Sequence, residues 1–198
     1  MISAIASLRT LIVSTGDGPG DDLRACLAEA GCTIVAEAAP DAALPGQLTQ
    51  HQPELIVLSA ASDAGQLASK VARACGEERR PMVLFTGDAS DGSIDTAISA
   101  GVAAYVIDGI DPVRVRTVLG VALVRFRQQG RLLDELSGAR TKLAERKVID
   151  RAKGILMSRH KLGEDEAYQK MRSMAMNKKL KLAEVAQRLL DVEELLDR

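Results

Sequence analysis

The sequence predicts an α/β domain built on a five-stranded parallel sheet, followed by a long helical linker and an all-α bundle of three helices. Three observations lead there. Short apolar runs alternate with single helical patterns through the first half, strand signals stop at Pro112, and the formal charge changes sign at the same place. Of the 26 Lys and Arg and the 27 Asp and Glu, residues 1–112 hold 6 and 15, a balance of −9, which leaves 20 and 12, a balance of +8, for residues 113–198.

The strands are read from 10-TLIVS-14, 33-TIVAEA-38, 54-ELIVLS-59, 81-PMVLFT-86 and 103-AAYVID-108. Their apolar residues are mostly continuous, the pattern of strands buried on both faces. Helical patterns follow at 21-DDLRACLAEAG-31, 62-SDAGQLASKVARACG-76 and 91-DGSIDTAISAG-101, while the segment after the second strand reads as a short polar stretch. Repetition of strand and helix five times fits a doubly wound, flavodoxin-like order over residues 1–125. Gly31 and Gly101 stop helices, and Asp111 caps the fifth helix with Pro112 at its first position.

Beyond Pro112 the composition is helical, and residues 112–147 are read as a linker. Leu119, Ala122, Phe126, Leu133, Leu136 and Leu143 recur at alternating three- and four-residue steps, with Gln129 in the vacant position. Such a seam suits a short coiled coil that pairs two copies of the chain, or a helix lying on its own α/β domain. Gly130 and Gly138 weaken it, and Arg140 and Lys147 occupy its later positions.

Residues 145–198 carry three apolar stripes: Val148, Ala152, Ile155 and Leu156; then Ala167, Met171, Met174 and Ala175; then Leu182, Val185, Ala186, Leu189 and Leu190. Gly163 followed by Glu166, with Leu162 against Ala167, marks a helix start near Glu164. Residues 139–183 hold 13 basic against 5 acidic side chains, which points to a polyanionic partner.

Other functions find little support. Apolar residues make up 46% and charged residues 27% of the chain, enough for a full core, and no apolar run approaches the roughly 20 residues of a membrane helix. The N-terminus MISAIASLRT lacks the pattern of an export signal. Cys26, Cys32 and Cys75 form no C-x-x-C pair, and His51 and His160 are far apart, so neither a metal centre, a disulfide framework nor a catalytic triad is predicted. The loop 16-GDGPGDD-22 has the wrong spacing for a dinucleotide fingerprint, Pro19 lacks an amide donor, and Asp21 and Asp22 would repel phosphate. No cofactor is implied.

The strand order and strand ends over residues 8–125 resemble the response-regulator receiver. That resemblance implies a phosphoacceptor at Ser59, an acid pair at Ser14 and Thr15, a hydroxyl at Thr86, an aromatic at Tyr105 and a lysine at Asp108. Only Thr86 and Tyr105 keep the family's chemistry. Neutral hydroxyls cannot hold a divalent cation by charge, and serine is a far weaker phosphoryl acceptor than a carboxylate, so the receiver is read as degenerate.

In the rear, R-A-K-G-I-L-M at 151–157, E-D-E-A-Y at 164–168 and A-M-N-K-K-L-K-L-A-E-V-A at 175–186 resemble the ANTAR domain, an RNA-binding antiterminator module. The whole chain is similar to ANTAR regulators of the NasT and AmiR type. This implies a cytoplasmic regulator, not an enzyme, that binds hairpins in leader mRNA and keeps a terminator from forming. It further implies control of nitrate and nitrite assimilation genes, with a NasS-like nitrate-sensing protein as partner. RNA contact is expected from Arg151, Ala152, Lys153, Met157, Arg159, Ala167, Tyr168, Arg172, Met176, Asn177, Lys178 and Lys179. Cations would meet phosphate, Tyr168 could stack on a loop base, and the small residues would permit close approach. A DNA-binding response regulator and a sequestration protein without nucleic acid remain the alternatives.

Overall fold

Five parallel strands form a sheet of order β2-β1-β3-β4-β5 in the computed structural model, which describes residues 7–18, 20–107 and 110–196. The elements are β1 Leu8–Ser14, α1 Gly20–Glu29, β2 Cys32–Ala38, α2 Leu44–His51, β3 Leu55–Ala60 and α3 Ala64–Cys75. They continue with β4 Met82–Thr86, α4 Asp91–Ser99, β5 Val102–Ile107, α5 Pro112–His160, α6 Glu164–Lys178 and α7 Leu182–Leu196. The predicted doubly wound sheet is therefore present. Contacts divide the chain into two units, one up to Gly130 and the other from Arg131.

In the front unit, every residue of β3 and β4 is buried, whereas the edge strands β2 and β5 are partly open. Side chains of successive residues leave the sheet on opposite faces. Ile12, Val57, Val83 and Phe85 accordingly join Leu23 and Leu27 of α1 and Val115, Leu119 and Leu123 of α5 in one core. Leu11, Val13, Ile56, Leu58 and Leu84 join Leu44, Leu48, Leu67, Val71 and Ala97 from α2, α3 and α4 in the other. Continuous apolar runs are thus explained by burial on both faces.

One element differs from its sequence reading. The stretch after β2 contains helix α2, with Pro45 in its first turn and Leu44 and Leu48 buried. Proline there lacks only an amide that the first turn leaves unbonded, so it starts a helix too short to show a period in the sequence. The Asp111 cap is formed as expected, its carboxylate accepting from the amides of Val113 at 3.0 Å and Arg114 at 3.1 Å.

The heptad seam divides in two. Leu119 and Ala122 are fully buried in the front core, and Phe126 is partly buried. Leu133, Leu136 and Leu143 are exposed in the single chain, as is Leu132. Its first half is therefore used within the α/β unit.

Helices α3 and α4 touch near their first turns. A Cβ on Gly65 would stand 2.8 Å from the Ser93 carbonyl oxygen and 2.8 Å from the Thr96 Cβ, so this contact requires glycine. The Ser93 hydroxyl also accepts from the Gly65 amide at 3.0 Å, tying the two helices together.

In the rear unit, Ala152 and Leu156 of α5, Ala167 and Met171 of α6, and Ala186 and Leu190 of α7 form a separate core. Small residues let the helices approach, and the Glu166 carboxylate closes the start of α6 by accepting from the Gly163 amide at 2.9 Å. Among the described residues, no helix is long and apolar enough to cross a membrane.

Leu58 is fully buried in the centre of the sheet. Leu58→Ala is expected to destabilise the front unit by about 2–5 kcal/mol. Hydrogen exchange at the amides of β1 and β3 reads this apart from the rear bundle, whose protection should not change.

Candidate functional site

At the carboxyl ends of the strands, the sheet brings Ser14, Ser59 and Thr86 together, with Ser14 beside Ser59 and Ala60 beside Thr86 in register. Asp108 lies outside the described residues, as do Pro19 and the side chain of Asp21. Each hydroxyl has a local environment. Ser14 Oγ accepts from the Gly16 amide at 3.0 Å, and the Thr15 hydroxyl donates to Asp17 Oδ1 in a short bond. Asp17 also accepts from the Ala61 amide at 3.4 Å. The Thr15 hydroxyl first, and the Ala61 amide second, hold the Asp17 carboxyl below the usual carboxylate range.

Ser59 is only 1% exposed, and its Oγ has no hydrogen-bond partner among the described residues. The cause is the first loop. A Cβ on Gly18 would lie 2.3 Å from Ser59 Oγ and 2.9 Å from the Ala60 amide nitrogen, so the loop backbone rests directly on the end of β3. The Thr15 amide donates to the Ser59 carbonyl at 3.2 Å and holds the loop down. An incoming phosphoryl group would meet peptide backbone where the chemistry needs open space, a metal and cations.

Thr86 and Tyr105 are likewise engaged. Thr86 Oγ1 accepts from the Asp88 amide at 3.0 Å, and the Tyr105 hydroxyl donates to the Asp88 carbonyl at 2.7 Å. Asp88 Oδ1 in turn accepts from the Ser90 amide at 3.0 Å and the Ser90 hydroxyl at 2.7 Å. The Ser93 hydroxyl beside it, then the Ser90 hydroxyl and amide, lower the Asp88 carboxyl to about 2. Asp88 was not singled out from sequence, although the Asp-x-Ser spacing at 88–90 is that of a side chain closing its own turn. Among the described residues, no three carboxylates, histidines or cysteines are grouped to hold a metal ion.

The rear unit distributes its candidate residues over three environments. Ala152 and Ala167 are fully buried and shape the helix packing. Lys153 reaches Glu164 at 2.7 Å and Asp150 at 3.1 Å, and Arg159 reaches Glu193 at 2.7 Å. Glu164 first, and then Asp150, push the Lys153 ammonium up. These two cations join α5 to α6 and α5 to α7.

The third group is open to solvent: Arg151, Arg172, Asn177, Lys178 and Lys179 are exposed. So are three large apolar or aromatic side chains, Met157 at 37%, Tyr168 at 38% and Met176 at 71%. Tyr168, Arg172 and Met176 follow one another at four-residue steps along one flank of α6. Lys179 ends that helix in the left-handed conformation at φ 54°, its amide held by the carbonyls of Ala175 and Met176. An aromatic face, a guanidinium and a flexible thioether in one row, with lysines at its end, can stack on bases and meet phosphates together.

Residues 137–190 match the model of the ANTAR domain. The Transcriptional regulatory protein PdtaR of Mycobacterium tuberculosis is 27% identical over 173 residues, covering 86% of this chain and 83% of that protein. The Nitrate regulatory protein of Klebsiella oxytoca is 41% identical over 73 residues, 35% of this chain and 18% of that protein. Among solved structures, the signal receiver domain of a modulated diguanylate cyclase from Desulfovibrio desulfuricans superposes with a TM-score of 0.48 at 15% identity, over 62% of this chain and 99% of that one.

Two outcomes follow from the strand ends. Ser59→Asp incubated with acetyl phosphate and Mg²⁺ should remain unlabelled by mass spectrometry, because Gly18 still covers the position and Ser14 and Thr15 still lack charge. For Asp88, the folded carboxyl lies below its unfolded value, so its stabilising contribution is complete above the unfolded range near about 4 and disappears as the pH falls through about 2. Asp88→Asn should therefore lower the melting temperature at pH 7, with the difference from the parent chain shrinking steadily in acid.

Proposed function

With residues 137–190 an ANTAR domain, we propose that the chain is an RNA-binding transcription antiterminator that grips hairpins in a leader mRNA and so prevents a terminator from forming. The match of that domain to the basic segment of the chain is the observation that carries this reading. Arg151, Arg172, Lys178 and Lys179 meet phosphate, while Tyr168, Met157 and Met176 contact unstacked loop bases and Asn177 hydrogen-bonds to them. Lys153 and Arg159 act at one remove, by fixing α6 and α7 against α5 through Glu164 and Glu193. Ala152 and Ala167 serve the same packing.

The front unit is a protein-contact module switched without phosphate. Covered Ser59, with hydroxyls in place of an acid pair, supports this. Its partner is a NasS-like nitrate-sensing protein that sequesters the regulator in the cytoplasm, and the regulated genes serve nitrate and nitrite assimilation. Likeness to the Nitrate regulatory protein supports the nitrate assignment. Two copies pair through the exposed Leu132, Leu133, Leu136 and Leu143 on α5, a shorter seam than the heptad pattern alone suggests.

Titration of the chain with a two-hairpin leader RNA and with duplex DNA of the same sequence tests the assignment. RNA should bind more tightly, with a steep loss of affinity as salt rises. Arg172→Ala combined with Lys178→Ala should weaken binding and reduce the salt slope by roughly 1 for each cation removed. Preference for the duplex, or an unchanged slope, would remove the RNA assignment or these residues from it.

A further inference from the structure

Residues 1–112 are strongly acidic, yet their few cations are unevenly used. Arg24 pairs with Glu37 at 2.7 Å, Arg80 pairs with Glu78 at 2.8 Å, and Arg9 bonds the His51 carbonyl. Among the described residues, Lys70, Arg73 and Arg79 make no ion pair or side-chain hydrogen bond, and all three are exposed. They also share one place. Lys70 and Arg73 line a groove of about 710 Å³ between α3 and α4, and Arg79 lines an adjoining hollow of about 240 Å³. Ala72 and Ala100 belong to both, so the two form a continuous trough.

Its shape follows from Gly65. The helices meet at that residue, and the trough lies on the C-terminal side of the contact, where small side chains leave the space between α3 and α4 unfilled. Ser69 and Ser99 offer hydroxyls there, and Asp95 is its one acidic lining residue. Cys75 reaches the lower hollow and is the least buried of the chain's three thiols.

We propose that this α3–α4 trough is the docking site for an acidic helical segment of a partner protein. Charge complementarity identifies the occupant: three uncommitted cations border an alanine floor within residues 1–112, whose balance is −9. A helix can lay small apolar side chains on Ala72 and Ala100 while placing carboxylates against Lys70, Arg73 and Arg79. Nucleic acid fits less well, because its unbroken row of phosphates would face Asp95, whereas a helix can place its carboxylates selectively. The inference rests on the reading that a partner protein carries the signal, and it is independent of what the rear unit binds.

A phage-displayed library of helical peptides, randomised along one face and selected on the full chain, tests the site. Acidic sequences should be enriched, and synthetic peptides made from them should slow alkylation of Cys75. Their affinity should fall at least roughly tenfold for Lys70→Glu combined with Arg73→Glu, and independently for Arg79→Glu, and the binding should weaken with salt. Both variants should melt like the parent chain and bind the leader RNA equally well. Selection without acidic enrichment, or acidic peptides that bind the reversed variants undiminished, would overturn the proposal. Protection of Cys75 by the leader RNA in place of the peptides would assign the trough to nucleic acid and overturn it equally. Loss of RNA binding by the parent chain with peptide binding intact would count against the antiterminator reading alone.

Discussion

Helix α5 contributes to two hydrophobic cores, and the organisation of the chain depends on that. Val115, Leu119, Ala122 and Leu123 complete one face of the sheet, and Ala152 and Leu156 join α6 and α7 in the rear core. Neither core would be complete without its share of α5. The sheet would expose Val57, Val83 and Phe85, and α6 and α7 alone would form a helix pair too small to bury an adequate interior. Secondary structure is therefore continuous where tertiary structure is divided.

The carboxyl ends of the strands in this doubly wound sheet carry hydroxyls where phosphoryl chemistry would need acids. In place of carboxylates around an open acceptor stand hydroxyls that satisfy neighbouring amides and a loop whose backbone rests on Ser59. The acids that remain have structural partners. Asp17 bonds the Thr15 hydroxyl and the Ala61 amide, while Asp88 closes its own turn and receives Tyr105 at its carbonyl. Each of these polar groups is held by a local partner, so the turns at this end of the sheet are closed by the chain itself.

Much of the fold was legible because its signals are local. Continuous apolar runs identify strands covered on both faces, and Asp111–Pro112 and Gly163–Glu166 mark helix starts that the structure reproduces. Helix α2 was missed because it is 8 residues long and buries only Leu44 and Leu48, too little to show a helical period. For the rear unit, sequence grouped Lys153 with Arg172, since both are cations beside an apolar stripe. Their difference is tertiary: Lys153 meets Glu164 eleven positions away, across the turn between two helices, and no periodicity records that. The close approaches at Gly18 and Gly65 are illegible for the same reason, as each depends on a neighbour distant in the chain.

Between its two buried ends, residues 131–144 of α5 are exposed throughout, and this includes Leu132, Leu133, Leu136 and Leu143. Gly138 within the stretch and Gly130 at its edge each cost about 1 kcal/mol of helix propensity relative to alanine. The other residues here are mostly good helix formers, but a lone exposed helix is marginal in water, so this stretch gains order from whatever covers its leucines. Mass action then applies to a piece of secondary structure. The helicity of this stretch is linked to the free concentration of its covering surface, as a folded state is linked to its ligand. When that surface belongs to another copy of the chain, the abundance of the protein in the cell becomes a variable in its own folding equilibrium.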